Sequence, residues 1–375
     1  MIRLARIIMV LALAPFALAR TVAAEPENIE ETMAQMRSNI ILALATKDVD
    51  QLEDWAKTYR TTRSRAADGY WHLHYFHRTL AELPVSKDRM EAIEGWEELV
   101  KLWKLAHPTS PTPNIVLASR YFAEAWAARG SRFSHKVFDD AWKVYRENLE
   151  KARLVLLQAK PAPGADFDPE WYARMAQIGL SLGDRRARFM AVVEEGLKRE
   201  PSYYKLYNVA FVYLLPKWHG SAEDAEAWAR TAAERTRETE GNSIYARIYA
   251  SHSREADARE IMSTFAIDWP RMKSGIDDLM KRDVEPEMAL RLLRLSCAAK
   301  DAEQVMAIWK RLGAAISAYR HAPIDVTQTC GWKPEASAPP PPESQPKTDA
   351  DARIPPAPSS HFTMWRPGPG QYVSN

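Results

Sequence analysis

Apolar positions recur through the middle of the chain at alternating steps of three and four. Between Ser134 and Gln158 they fall at Phe138, Trp142, Tyr145, Leu149, Ala152 and Leu156, which is one face of a helix. Ala225, Trp228, Ala229, Ala232 and Ala233 form a narrower stripe of the same kind, and Val305, Ile308, Trp309, Leu312 and Ile316 another. The stretch from Tyr203 to Leu215 is apolar on nearly all sides, which predicts a helix at the centre of the fold.

Polar residues punctuate these segments where helices begin and end. Asp168-Pro169-Glu170 offers a capping acid, a proline at the first helical position and a first-turn acid. Asp301 with Gln304, and Asp50 with Glu53, have the spacing of a capping box, and Ser221 is another N-cap candidate. Gly130, Gly183, Gly220 and Gly241 fall between periodic segments as breaks or C-caps. The pattern predicts an all-α protein of roughly fourteen helices, stacked as hairpins in a tetratricopeptide-like solenoid. From about residue 168 the helix pairs are expected at 168–199, 202–237, 242–266, 268–282 and 285–319. We divide the 375 residues into an export segment, 1–24, an N-terminal helical region, 25–165, a hairpin region, 166–333, and a tail, 334–375.

Both ends differ from this body. Arg3 and Arg6 precede an apolar run from Ile7 to Ala19, too short to span a bilayer comfortably, and Val22-Ala23-Ala24 supplies small residues for cleavage after Ala24. The expected product is an exported protein, periplasmic or secreted, with no membrane span after cleavage. At the other end, ten of the 41 residues from Glu335 onward are proline, a composition that predicts a disordered tail with polyproline character. Its tip carries Phe362 and Trp365, which either dock on another molecule or fold back onto the helical body.

Charge narrows the partner class. Loss of Arg3, Arg6 and Arg20 with the export segment leaves 48 basic against 49 acidic residues, a net charge of −1. That balance lacks the basic footprint of a nucleic-acid binder. Two cysteines remain, Cys297 and Cys330. A helix over 302–319 runs about 27 Å away from Cys297. The next eleven residues reach back about 36 Å, so a disulfide is feasible. Two separate thiols, with Cys297 as a buried small hydrophobe, are the alternative.

Four short segments resemble a bacterial family known as domain of unknown function 4034. They are Leu102-Trp103-x-x-Ala106-His107-Pro108-x-Ser110-Pro111, Ala125-Trp126-x-Ala128-Arg129-Gly130, Asp168-Pro169-x-Trp171-Tyr172 and Leu215-Pro216-Lys217-Trp218-His219-Gly220-Ser221. The resemblance covers roughly residues 50–260. It implies an exported, tetratricopeptide-like helical protein and carries over no activity and no catalytic residue.

Candidate chemistry is sparse. His72, His74 and His77 are spaced by two, three and five; one pair three apart is too little for a zinc site and they do not share one strand face, so they read as partly exposed helical histidines. Nothing points to a metal or a cofactor. Trp218-His219-Gly220-Ser221 is the candidate binding loop: its glycine and serine could present amides to an anion, and His219 beside Ser221 invites a nucleophile reading. No Gly-x-Ser-x-Gly elbow surrounds it, and an N-cap role for Ser221 explains it as well. Tyr203, Tyr204 and Tyr207, with Trp126 and Arg129, are candidates for the edge of a groove. The many tryptophans serve either as wedges between helices or as a stacking surface. The expected function is a protein- or peptide-binding scaffold of the cell envelope. The alternatives are an envelope hydrolase acting on glycan or peptide, and a carrier of a small ligand.

Overall fold

A computed structural model describes residues 29–66, 68–83, 89–130, 136–160, 167–253, 256–282, 284–320 and 325–333. The export segment, the 334–375 tail and its Phe362 and Trp365 lie outside these residues. Among the described residues sixteen helices follow one another. The N-terminal group is α1 (Ile29–Thr46), α2 (Val49–Thr62), α3 (His72–Glu82), α4 (Arg89–Ala106), α5 (Thr112–Arg129) and α6 (Asp139–Gln158). Next come α7 (Pro169–Leu182), α8 (Arg186–Arg199), α9 (Tyr204–Tyr213), α10 (Ala222–Glu240) and α11 (Ser243–His252). The chain ends in α12 (Ala258–Thr264), α13 (Trp269–Met280), α14 (Pro286–Ala298), α15 (Ala302–Tyr319) and α16 (Val326–Cys330).

The fold is the all-α stack of helical hairpins that the apolar spacing predicts. Successive helices pack on each other, α5 on α6, α7 on α8, α10 on α11 and α14 on α15. The caps act as their chemistry requires. Asp168 accepts from the Glu170 amide at the start of α7, Ser221 from Asp224 at α10, and Asp301 from Gln304 at α15. Gly130, Gly183 and Gly241 close α5, α7 and α10. Two expectations are corrected. The cap of α2 is Asp48, not Asp50, and Glu53 is turned into the core instead of reaching back to the helix start. The segment 268–282, expected as a helix pair, is the single helix α13.

Two apolar cores form. The smaller gathers Ile40, Leu52, Phe76, Trp96 and Trp103 among α1–α4. The larger runs without a break from Trp71 to Cys330, across the sequence boundary at 165/166. Helix α5 serves both, turning Val116 to one and Ile115 to the other, and Tyr59 packs against each. Each fully buried large side chain contributes about 1.5–3 kcal/mol. Most buried tryptophans are wedges with a partner for the indole N–H: Trp103 donates to Glu53, Trp171 to the Leu156 carbonyl and Trp228 to the Tyr207 carbonyl.

The loop between α2 and α3 clamps the two halves together. Arg65 donates to the Ser202 carbonyl at 3.0 Å, Arg63 pairs with Glu200 at 3.1 Å, and Asn208 donates to the Tyr70 hydroxyl at 2.6 Å. From α11, Arg247 donates to the carbonyl of Asp68. Gly69 makes this approach feasible: its φ is +85°, and a Cβ there would stand 2.6 Å from the Arg247 guanidinium.

At the far end Cys297 and Cys330 are joined in a disulfide that fastens α16 to α14. The Trp332 indole donates to the Cys297 carbonyl at 3.1 Å. The bond closes a loop with a sequence separation of 33. Loop-closure entropy for that length is worth about 3–4 kcal/mol. Cys330→Ser is therefore expected to lower stability by up to that amount. Urea denaturation with and without reductant checks it: the wild type should lose the same increment on reduction, and the variant none.

Candidate functional site

The start of α7 carries two fully buried carboxylates, Asp168 and Glu170. An ionised carboxylate in the core is tolerated only with charge partners and donors around it. Asp168 accepts from its own helix, from His77 Nε2 at 3.0 Å, and lies 3.6 Å from Arg60. Glu170 accepts from Lys205 Nζ and from the Tyr203 hydroxyl, both at 2.5 Å, with Arg174 at 3.6 Å. The Arg60 guanidinium continues the network to Glu53 at 2.8 Å and Thr112 at 2.5 Å. Glu53 in turn accepts from Trp103 and Ser110. Three carboxylates (Glu53, Asp168, Glu170) thus face three cations (Arg60, Arg174, Lys205) contributed by α2, α7 and α9.

The burial of these groups sets their titration. Burial alone would raise the Glu170 carboxyl, but Lys205 and Arg174 beside it hold it well below the usual range. Burial pulls Lys205 down to about 8, against the attraction of Glu170. Burial, reinforced by Lys205, lowers His74 to about 3, so it is the neutral imidazole. Its Nδ1 lies 3.8 Å from Glu170, too far for a hydrogen bond. His74 and His77 are thus core residues, which corrects the expectation of partly exposed histidines; only His72 is half-buried. Saturated with donors and closed to solvent, the cluster is a tie between helices, without an open position for a substrate. Among the described residues no group of three or more His, Cys, Asp or Glu is arranged to hold a metal ion.

The 218–221 loop packs on the end of α7. The His219 ring lies 4.6 Å from that of Tyr213, and its Nε2 is 3.4 Å from the Leu180 carbonyl. Ser221 Oγ is occupied by the Asp224 amide. No hydrogen bond joins His219 to Ser221 among the described residues, so the pair lacks the geometry of a base and its nucleophile. Gly220 is held tightly, since a Cβ there would collide with the Leu214 carbonyl. Trp218 is half-buried against the large core.

The proposed groove tyrosines are corrected by their burial. Tyr203, Tyr204 and Tyr207 are 1%, 3% and 0% exposed, inside the core rather than at an edge. Tyr203 serves Glu170, and Tyr207 donates to the Pro201 carbonyl. Two guanidinium groups lie near the Tyr204 ring, Arg65 at 4.3 Å and Arg247 at 5.8 Å from its centroid. Trp126 and Arg129 do come together: the guanidinium sits 5.6 Å from the Trp126 ring and 5.7 Å from that of Trp142.

An open cleft that the sequence pattern did not reveal lies beside α1. Its volume is about 780 Å³. One wall is α1, with Thr32, Gln35, Ser38 and Asn39; the other is Tyr59 near the end of α2 and His72 at the start of α3. The only signal in the sequence is indirect. Helix α1 packs by a narrow stripe of Met36, Ile40 and Ala43, and its first half leaves Glu31, Gln35, Ser38 and Asn39 exposed.

In comparison with known proteins, the chain matches no protein-family model, no curated protein and no solved structure.

Two outcomes follow from the buried groups. Glu170→Gln leaves Lys205 and Arg174 without their counter-charge and is expected to cost roughly 3–5 kcal/mol in urea denaturation. The pH profile is set by His74 and by His252, which burial and Lys217 lower to about 4. Both have folded-state pKa values below the ordinary 6.5. As pH falls through 6.5 the unfolded chain binds protons that the folded one refuses, so stability drops. Each histidine contributes a slope of up to about 1.4 kcal/mol per pH unit. Denaturation midpoints between pH 7.5 and 4 should show this fall, and His74→Gln/His252→Gln should flatten it.

Proposed function

We propose that this protein is an exported, non-catalytic helical scaffold that binds a partner protein or peptide in the cell envelope. The observation that carries the reading is a set of leucines left uncovered on the outer faces of two neighbouring hairpins. Leu102 and Leu105 stand one turn apart on α4, and Leu154 and Leu157 one turn apart on α6. Leu105 is 81% exposed and Leu154 59% exposed. The two helices flank α5, whose Tyr121 bonds to Glu97 of α4 and lies under Lys151 of α6. Paired leucines on two helices that both pack on α5 offer the apolar anchors of an interface.

Other features support the placement and the architecture. The short apolar run before Ala24 favours export, and a buried disulfide suits an oxidising compartment. No helix among the described residues is long and apolar enough to cross a membrane. The four motif segments resembling the domain of unknown function 4034 family favour the same tetratricopeptide-like, exported reading and add no activity. The nucleophile reading of His219 and Ser221 has no geometry in its favour.

Site-specific photo-crosslinking from residue 157 in cells, followed by mass spectrometry, tests the proposal. A defined partner should be captured and lost with Leu102→Glu/Leu154→Glu, while the far-ultraviolet spectrum of the variant stays helical. Capture of the same partner by that variant, at undiminished yield, would overturn the leucine surface.

A further inference from the structure

We propose that the cleft between α1 and the Tyr59–His72 wall binds a neutral saccharide chain, at a site separate from the leucine surface. Its volume of about 780 Å³ falls within the range of about 300–1,000 Å³ usual for ligand sites. The two walls differ in chemistry. Tyr59 and His72 supply ring surface, their centroids 5.9 Å apart and tilted by 45°. The Tyr59 ring is fixed from behind by Phe76 at 5.9 Å, and His72 by its bond to Ser64 at 2.9 Å. A ring surface held in this way is ready to stack before any ligand arrives, which limits the ordering cost of binding.

The facing wall is a ridge of hydroxyls and carboxamides on successive turns of α1. Gln35 Nε2 donates to Asn39 Oδ1 at 2.9 Å. That bond leaves the Gln35 carbonyl oxygen as an acceptor and the Asn39 amino group as a donor for a ligand. The Ser38 hydroxyl donates to the Ala34 carbonyl and keeps its lone pairs for a ligand. Thr32 and, at the upper rim, the Glu31 carboxylate extend the row.

This lining discriminates among ligand classes. No lysine or arginine lines the cleft among the described residues, so phosphates, nucleic acids and uronic acids find no counter-charge. Among the described residues Met36 and Ala34 are its only aliphatic contributions, too little for an acyl chain or the apolar face of a helix. Beyond its first turn the backbone amides of α1 are consumed within the helix, so an extended peptide finds no strand edge to pair with. A neutral sugar needs what is present: a ring surface for its C–H face, and mixed donors and acceptors for its hydroxyls.

Titration calorimetry of the full-length protein tests this with cellotetraose, maltotetraose and N-acetylchitotetraose, and with tetragalacturonate as the anionic comparator. At least one neutral tetramer should bind. Gln35→Ala/Asn39→Ala, a change confined to exposed positions, should weaken it about tenfold through the loss of two hydrogen bonds. Tyr59→Ala should abolish binding, with helicity checked in parallel because that ring also packs on the core. Leu102→Glu/Leu154→Glu should leave sugar affinity unchanged, so the two sites stand or fall independently. Absence of binding by every neutral tetramer, preference for tetragalacturonate, or full affinity in the Gln35→Ala/Asn39→Ala variant would each overturn the proposal.

Discussion

A carboxylate taken out of water must be met by charge and hydrogen bonds at short range, or the fold that buries it is lost. Asp168 and Glu170 impose that demand twice within three residues, at the first turn of α7. The demand is met by groups far apart in sequence: Arg60 and His77 for one, Lys205 and Tyr203 for the other. The apolar cores supply the bulk of the stabilisation, but they are non-directional and tolerate sliding. The ionic tie has a direction, so it fixes how α2, α3 and α9 sit on α7. The positive end of the α7 dipole adds to it, since both acids stand where a helix favours negative charge.

That rigid centre leaves the two proposed binding surfaces to the periphery. The cleft beside α1 and the leucines of α4 and α6 all belong to the N-terminal group of helices. The regular hairpins from α7 onward turn their aromatics inward. Their tyrosines satisfy buried acids: Tyr245 and Tyr249 both donate to Glu226, as Tyr203 does to Glu170. In this protein aromatic abundance therefore reports on core construction more than on ligand stacking.

The sequence conveyed the helices well because their apolar spacing and caps are local properties. The starts of α7, α10 and α15 were legible from Asp168, Ser221 and Asp301 alone. The ionic tie was not, because its pairings span tens of residues and ordinary spacing says nothing of them. One sign was present: Lys205 sits in a helix otherwise apolar but for Asn208, and a lysine in such a place requires a buried acid. The cap of α2 was misplaced because Asp48 and Asp50 both stand near the helix start, and only burial shows that Glu53 faces inward. The groove tyrosines were misjudged for a related reason. A wholly apolar helix identifies the centre of a fold, and side chains at the centre line no open surface. The cleft beside α1 depends on three segments meeting, which no single stretch of sequence records.

The disulfide has a mechanical consequence. Helix α16 is only five residues long and has little packing of its own. Held by hydrogen bonds alone, so short an element would peel away under modest tension. The bond from Cys330 to Cys297 instead transfers any pull arriving from beyond residue 333 directly into α14, a helix embedded in the large core. The chain that leaves this point is therefore moored rather than merely attached. A load on it is borne by the whole hairpin stack.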